Sequence, residues 1–404
     1  MTFSLNRKAQ TMKETNKNKI LLYYYRKFME NHILKAFILA SILVFFLFKY
    51  YRLTLDVILP ATIGFLLSKF LFMTYIAYVS KREDRLKSIE NPDVLSKIYP
   101  DVLPIMLVEN GISLPLYFSD VLMIDERQVK FTLSNESFRL PIFIEMNQPQ
   151  LLKAHLMSHI ENKNTLRLKD IVIEGNTIEL KVQKTSYYNH LVTNRAIDYA
   201  LSEHLTLRKM YEPGPTIKPL IESVFSNHIG INLMLITNDH YTVCPKRKYN
   251  ATYSKNRLTS SVAIGYGIKS YEDVSLADMK LQMLAAIYTK LHIPDQHIPH
   301  TDQIEFIGIA RSIYEGGKPQ FYFKCELPNF SSRDFVEMTK SINQSQYDTI
   351  LDQDKSYHLV NLNDMKVKDK FQLLATEGNQ SRYHKVELSF FMNYYFYRKT
   401  IKSI

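Results

Sequence analysis

The stretch IEFIGIARSIYEGGKPQFYFKCEL, residues Ile304–Leu327, contains the clearest structural signal in the chain. Two runs rich in Ile, Phe and Tyr flank the segment EGGKP at 315–319. Runs of this composition are typical of strands, and a segment containing Gly and Pro is typical of a turn. The stretch therefore predicts two strands joined by a turn.

Further elements are predicted on both sides of this pair. Upstream, GINLMLIT at Gly230–Thr237 predicts a strand, and Tyr241–Lys246 and Ser260–Ile268 predict two more. Between them and Ile304, the residues Ser275–Leu291 have apolar side chains at helical spacing. Near the C-terminus, Phe390–Lys399 predicts an amphipathic helix.

The region 103–211 is predicted to be a β-rich extension that precedes the elements described above. Asp170–Lys184 alternates polar and apolar residues around Gly175-Asn176, a pair suited to a two-residue hairpin turn. The breaker run Glu212-Pro213-Gly214-Pro215 marks the predicted boundary. The other elements predicted here are strands over 129–133 and 138–144 and helices over 149–162 and 194–210.

Two apolar segments near the N-terminus, at about 33–53 and 55–79, predict a transmembrane hairpin. A bilayer core needs roughly 20 mostly apolar residues per helix. Lys and Arg are concentrated before the first segment and after the second, which predicts that both termini are cytoplasmic. A cleaved signal peptide is the alternative, but a long polar arm precedes the first segment. The expected location is a membrane, with the lipid bilayer as a partner.

The net charge of +11 belongs to this N-terminal part. Residues 1–87 carry 15 Lys and Arg against 5 Asp and Glu, whereas the remainder carries 36 against 35. A nearly neutral remainder argues against a nucleic acid polymer as a partner. Lys69 lies within the second apolar segment, where a charge has either a membrane function or reaches out to the bilayer surface.

No residue pattern predicts a cofactor or a metal. Cys244 and Cys325 both stand in strand-like runs and are expected to be buried thiols. His292, His297 and His300 share one loop, but their spacing does not match a structural zinc pattern. We therefore expect no metal site.

The order of elements from Ser226 to Leu327 resembles a Nudix domain, through the phrases NHIGIN, GIAR and GGKPQFYF. A Nudix hydrolase holds Mg²⁺ with glutamates on the helix that corresponds to 275–291, and this chain has Ala286, Thr289 and Lys290 at those positions. The resemblance therefore implies a Nudix-like α/β/α domain that binds a ligand and is not an enzyme.

Fused to a two-span hairpin, such a domain resembles the transmembrane-Nudix effectors of CD-NTase-associated (CBASS) antiphage systems. That resemblance implies a sensor of a cyclic oligonucleotide that forms homo-oligomers on binding and disrupts the inner membrane. The alternatives are a membrane-bound Nudix hydrolase of a nucleoside diphosphate derivative and a non-catalytic membrane scaffold. The expected fold class is α+β, with a cytosolic basic arm (1–32), the hairpin (33–80), a charged connector (81–102), the β-rich extension (103–211) and the Nudix-like domain (212–404).

A cyclic oligonucleotide requires cations for its phosphates and aromatic rings for its bases. The basic aromatic run at 246–257 supplies both, although a solvated loop is the alternative for any one of its residues. By the resemblance, Arg311 and either Tyr322 or Phe323 face the same cleft. The candidate ligand-binding residues are Lys246, Arg247, Lys248, Tyr249, Tyr253, Arg257, Arg311 and Tyr322.

Overall fold

The computed structural model describes residue 64 and residues 67–71, 74–75, 88–153, 155, 161–202, 205–247, 251, 254, 256–268, 274–345, 357–368, 371–377 and 379–402. The chain divides into two compact units, Met1–Arg85 with Asn147–Ile160 and Leu86–Met146 with Glu161–Ile404. All the strands given below belong to the second unit.

The predicted transmembrane hairpin is corrected by the structure. No helix among the described residues is both long and apolar enough to cross a bilayer, which contradicts the predicted hairpin and its inner-membrane location. Within the second predicted span, the described residues are Gly64, Leu67–Leu71 and Thr74-Tyr75, all of them helical, and the rest lie outside the described residues. Lys69 is exposed there. The arm 1–32 and the first predicted span lie outside the described residues.

The chain contains strands along most of its described length. In chain order they are β1 (Ile105–Glu109), β2 (Ile112–Leu116), β3 (Phe118–Leu122), β4 (Val129–Ser137), β5 (Asn164–Glu174), β6 (Thr177–Ser186), β7 (Gly230–Thr237), β8 (Tyr241–Pro245), β9 (Val262–Gly265), β10 (Ile304–Ser312), β11 (Lys318–Leu327), β12 (Tyr357–Asn361), β13 (Val367–Lys368), β14 (Gln372–Glu377) and β15 (Gln380–Lys385). The helices are α1 (Pro92–Ile98), α2 (Ile142–Lys153), α3 (Tyr187–Val192), α4 (Leu207–Tyr211), α5 (Leu276–Ala286), α6 (Ser332–Ser345) and α7 (Leu388–Lys402).

The largest sheet is mixed, which confirms the α+β prediction. Its strand order is β13-β14-β12-β8-β7-β11-β10-β3, with β9 beside β7 and β15 beside β14. The strands β10 and β11 form the antiparallel pair that the sequence predicts, and β11 runs parallel to β7 over the whole length of β7. All eight residues of β7 are buried, since both faces of a strand at this position are covered.

Helices cover the sheet on two sides, because alternate residues of its central strands face two different cores. On one side, Met234 and Tyr322 pack with the aromatic residues of α7. On the other, Leu235 and Phe323 pack with Met279 and the rest of the apolar face of α5. This arrangement places α5 and α7 on opposite faces of the sheet.

The β-rich extension contains a smaller mixed sheet and a separate hairpin. In the smaller sheet β6 lies between β4 and β5, and β5 and β6 form the hairpin predicted around Gly175-Asn176. The strands β1 and β2 pair with each other. Two isolated bridges connect β5 to the residues flanking β7 and β9. They pair Arg167 with His228 and Thr165 with Gly267.

Two local predictions in the extension are wrong. The residues 138–144, predicted as a strand, lead into α2, which begins at Ile142. The residues 194–210, predicted as one helix, contain only a short 3₁₀ turn at Asn194–Ala196 and the helix α4. Tertiary contacts decide this segment, because Asn194 and Arg208 are buried and hydrogen-bonded to distant residues.

Candidate functional site

Basic side chains collect where β8 ends and β12 begins. These strands pair antiparallel, with Cys244 opposite His358 and Pro245 opposite Tyr357, and Lys246 directly follows β8. We call this region the basic end of the sheet, and its residues are Lys246, Arg247, Lys290, His358, Arg382 and His384. Electrostatic interactions, given below, link Lys290 with Arg247. A second set of such interactions links His358 and His384 with Lys246 and Arg382.

Two histidines form the buried part of the basic end. The rings of His358 and His384 lie 4.2 Å apart between centroids, and His358 is fully buried. Burial, followed by the positive charge of Lys246 and Arg382, lowers the pKa of His358 to about 4. Burial lowers the pKa of His384 to about 4 as well, with smaller contributions from the neighbouring His358 and the same two cations. Both imidazoles are therefore neutral at neutral pH.

A carboxylate borders this histidine pair at the surface. Glu377 Oε2 lies 3.2 Å from His358 Nε2, and its side chain is half exposed. Because solvent screens an exposed carboxylate, it compensates only part of the positive potential of Lys246 and Arg382. The histidine side of the basic end can therefore attract an anion without first losing a buried partner.

The other side of the basic end is formed by the last turn of the helix that begins as α5. A π-helical turn over Ile287–Leu291 continues α5, and such turns are frequent at functional sites. The Tyr357 hydroxyl donates a hydrogen bond to the Lys290 carbonyl, which fixes this turn to the start of β12. Desolvation first, and then the positive charge of Arg247, lowers the pKa of Lys290 to about 8, although Lys290 keeps an exposed surface.

The two arginines of the predicted basic run are tied to carboxylates. Arg247 forms an ion pair with the buried Glu387. Arg257 donates two hydrogen bonds to Glu90, at 2.9 and 2.6 Å. Their backbones also meet, since the Arg247 N–H donates to the Arg257 carbonyl at 2.9 Å. The two arginines are therefore held next to each other at the basic end. Lys248, Tyr249 and Tyr253 lie outside the described residues.

Arg311 and Tyr322 lie in the interior of the second unit. The Arg311 guanidinium donates to Asp120 at 2.7 Å and to the carbonyls of Gly317 and Lys218. Tyr322 is fully buried and packs on Phe396, with 5.1 Å between ring centroids. Its neighbour Phe323 is fully buried in the opposite core. These contacts of Arg311 and Tyr322 hold the sheet together.

The helix that would carry the catalytic glutamates of a Nudix hydrolase carries other residues. Ala286 is buried, and the Thr289 hydroxyl donates to the Ala285 carbonyl at 2.7 Å. Asp278, an acid on α5, accepts hydrogen bonds from Tyr266 at 2.8 Å and from Gln282 at 2.9 Å. In the part of the chain that the structure describes, no group of three His, Cys, Asp or Glu side chains is placed to hold a metal ion.

The two cysteines are buried free thiols, as the sequence predicts. Cys244 lies on β8 and Cys325 on β11.

Three members of the basic end were not predicted as site residues from their sequence positions. His358, Arg382 and His384 lie more than 100 residues beyond the basic run, and only the pairing of β12, β14 and β15 brings them near Lys246. Lys290 is a fourth member that the sequence does not predict as a ligand-binding residue, and by the resemblance to Nudix domains its position is that of a metal ligand.

Comparison of the sequence with protein-family models and with curated proteins finds no match.

Proposed function

We propose that the second unit is a non-hydrolytic receptor domain for a phosphodiester of the cyclic oligonucleotide class, bound at the basic end of the sheet. The observation that carries the proposal is the placement of Lys290. By the resemblance to Nudix domains, this residue occupies the position of a metal-binding glutamate, and it lies close enough to Arg247 for the charge of Arg247 to lower its pKa.

The chemistry proposed for this site follows from a comparison of cationic side chains with the divalent metal ion of a phosphoryl-transfer site. In phosphoryl-transfer sites a divalent cation neutralises phosphate oxygens and positions them for attack. An ammonium and a guanidinium can neutralise the same oxygens, but they activate no water as a metal ion does. A site with Lys290 in place of a carboxylate, near Arg247, therefore favours binding of an intact phosphodiester over its hydrolysis.

Three further features support a nucleotide. The cations Lys246 and Arg382 add positive potential at the histidine pair, at the same end of β8 and β12. Tyr288 is 56% exposed on the same π-helical turn as Lys290, and an exposed aromatic ring offers a stacking surface for a base. The family resemblance adds that binding promotes self-association, through higher affinity of the ligand for the oligomer.

We expect one cyclic compound in a panel to raise the melting temperature of the full chain. The panel contains cyclic di-AMP, cyclic di-GMP, cyclic triadenylate and linear nucleotides with Mg²⁺. Lys290→Ala should weaken binding of the active compound by about 10–100-fold, because a hydrogen bond to a charged group contributes roughly 1.5–3 kcal/mol. The matched control is Lys97→Ala, which removes an exposed lysine of α1.

Each other outcome of this experiment contradicts the proposal. Mg²⁺-dependent release of phosphate or of a nucleoside monophosphate from a linear diphosphate derivative would identify a hydrolase. No shift with any cyclic compound would favour a scaffold that binds only protein. Equal losses of affinity in Lys290→Ala and Lys97→Ala would place the ligand elsewhere. Mass photometry with and without the active compound tests self-association separately.

A further inference from the structure

Among the buried polar residues outside the basic end, four that lie close together in and beside β5 have side-chain atoms without a hydrogen bond to the described residues. These atoms are Thr165 Oγ1, Arg167 Nε, Asn227 Nδ2 and both ring nitrogens of His228. Each of these residues is at most 7% exposed. Buried polar groups are almost always satisfied, by protein, water or a ligand. We call these four residues the Arg167 cluster.

The backbone brings the members of this cluster together. Arg167 and His228 are antiparallel bridge partners, and the bonds around them run from Leu168 N–H to the Asn227 carbonyl and from Ile229 N–H to the Leu166 carbonyl. Arg167 and His228 therefore form a pair that shares no backbone hydrogen bond, the type in which side chains stand closest on one face. Thr165 is two residues from Arg167 on the same strand and thus shares that face.

The Arg167 guanidinium is a buried cation without a buried anion. It donates to the Gln183 amide oxygen at 2.9 Å and to the Ser223 carbonyl, and it lies 5.0 Å from the centre of the Phe138 ring. No carboxylate among the described residues bonds it. Burial alone lowers its pKa to about 10, so it is charged at neutral pH. A buried charge that is not paired is costly, and an anion would compensate it.

There is open space beside the cluster. Gly267 is the bridge partner of Thr165, and a Cβ built on Gly267 would meet no atom within 4 Å. Opposite residues in an antiparallel pair point to the same face, so this space lies on the face that carries Thr165 and Arg167. Gly265, two residues earlier, is exposed and touches the His228 ring. The His228 ring fills the space beside Gly265, so the open space lies at Gly267.

We propose that the Arg167 cluster binds a small oxyanion, with phosphate as its chemical type. Arg167 supplies the positive charge and an N–H, and the neutral His228 supplies a further N–H donor. Thr165 adds a hydroxyl that donates to the same ligand. A single guanidinium and open space at one glycine favour one tetrahedral anion over a polyphosphate.

Titration calorimetry and thermal melting of the full chain, with inorganic phosphate against chloride at equal ionic strength, test the proposal. Phosphate should raise the melting temperature where chloride does not. Arg167→Met should weaken phosphate binding by at least tenfold. Gly267→Val should do the same by filling the open space, and it leaves every polar group of the cluster in place. Arg127→Met is the matched control, because Arg127 is an exposed arginine paired with Asp125.

Phenyl phosphate separates two sources of the anion. Binding of inorganic phosphate alone indicates a free ion, whereas equal binding of the ester indicates a phosphate group of a larger molecule. Equal effects of phosphate and chloride, or phosphate binding that survives both Arg167→Met and Gly267→Val, would overturn the proposal and leave only water at the cluster. Lys290→Ala should retain the phosphate effect, which separates this site from the basic end.

Discussion

Asp198→Ala should lower the free energy of unfolding by about 3–5 kcal/mol, the usual cost of removing one partner of a buried ion pair. Asp198 and Arg208 are both nearly inaccessible, with 6% and 2% of their side chains exposed. They share two hydrogen bonds, at 2.7 and 2.8 Å. The same carboxylate accepts a hydrogen bond from the Ile89 N–H at 2.8 Å. Its loss therefore leaves a buried guanidinium uncompensated and a backbone donor unpaired.

The rest of the Arg208 environment cannot replace that carboxylate. Arg208 donates to the Tyr99 hydroxyl at 3.0 Å and to the carbonyls of Ile313 and Tyr314 at 2.9 Å, and all three are neutral acceptors. Urea unfolding measures the change. Asp125→Ala is the control, since Asp125 pairs with the exposed Arg127 and such pairs contribute roughly 0–1 kcal/mol. A loss below about 1 kcal/mol in Asp198→Ala would contradict the burial of this pair.

Acid should destabilise the second unit through His228. Burial, with a smaller contribution from the positive charge of Lys318, lowers the pKa of His228 to about 3 from its ordinary value near 6.5. Between these two values the unfolded chain binds the proton and the folded chain does not. The contribution of neutral His228 to the free energy of unfolding is therefore fully present above pH 6.5 and is lost as the pH falls toward 3. At pH 4 this loss amounts to about 3 kcal/mol.

The pH dependence of urea unfolding in His228→Asn checks this expectation. The variant should be less stable at pH 7, where it loses packing, but its stability should fall less steeply between pH 6.5 and 4. His240→Asn serves as the control, because His240 is exposed and the asparagine tolerates its left-handed backbone at a φ of 60°. If the free energy of unfolding falls equally steeply between pH 6.5 and 4 in wild type and His228→Asn, the acid sensitivity belongs to other groups. His358 and His384 are the next candidates.

The central strands were predictable because their patterns are local. Gly230–Thr237 is a continuous apolar run, and it forms β7 with the predicted bounds. The turn at 315–319 lies between two long runs, and it separates β10 from β11. In both cases one uninterrupted segment carries enough apolar side chains to specify a buried strand.

Predictions failed where distant contacts decide the structure. The residues 194–210 have a helical period, yet Arg208 and Asp198 are fixed by buried hydrogen bonds to other parts of the chain. The two apolar N-terminal segments have the composition of membrane spans, but no described helix has the length of one.

The candidate site was predictable only in part for the same reason. The basic run identified Lys246 and Arg247 as members of a charged group. It did not show that Glu387 and Glu90 pair with the two arginines, because these carboxylates are more than 100 residues away. The histidine pair depends on strand order in the same way, since His358 and His384 lie on different strands.

The pH dependence of ligand affinity is the most direct test of the account, measured by calorimetry with the cyclic compound that gives the largest thermal shift. With a pKa of about 8, Lys290 is mostly charged at pH 7 and mostly neutral at pH 9. If the ammonium binds phosphate, affinity should fall by about tenfold between these values. Lys290→Arg stays charged and should abolish that fall. A fall of equal size in wild type and Lys290→Arg would contradict phosphate binding by Lys290.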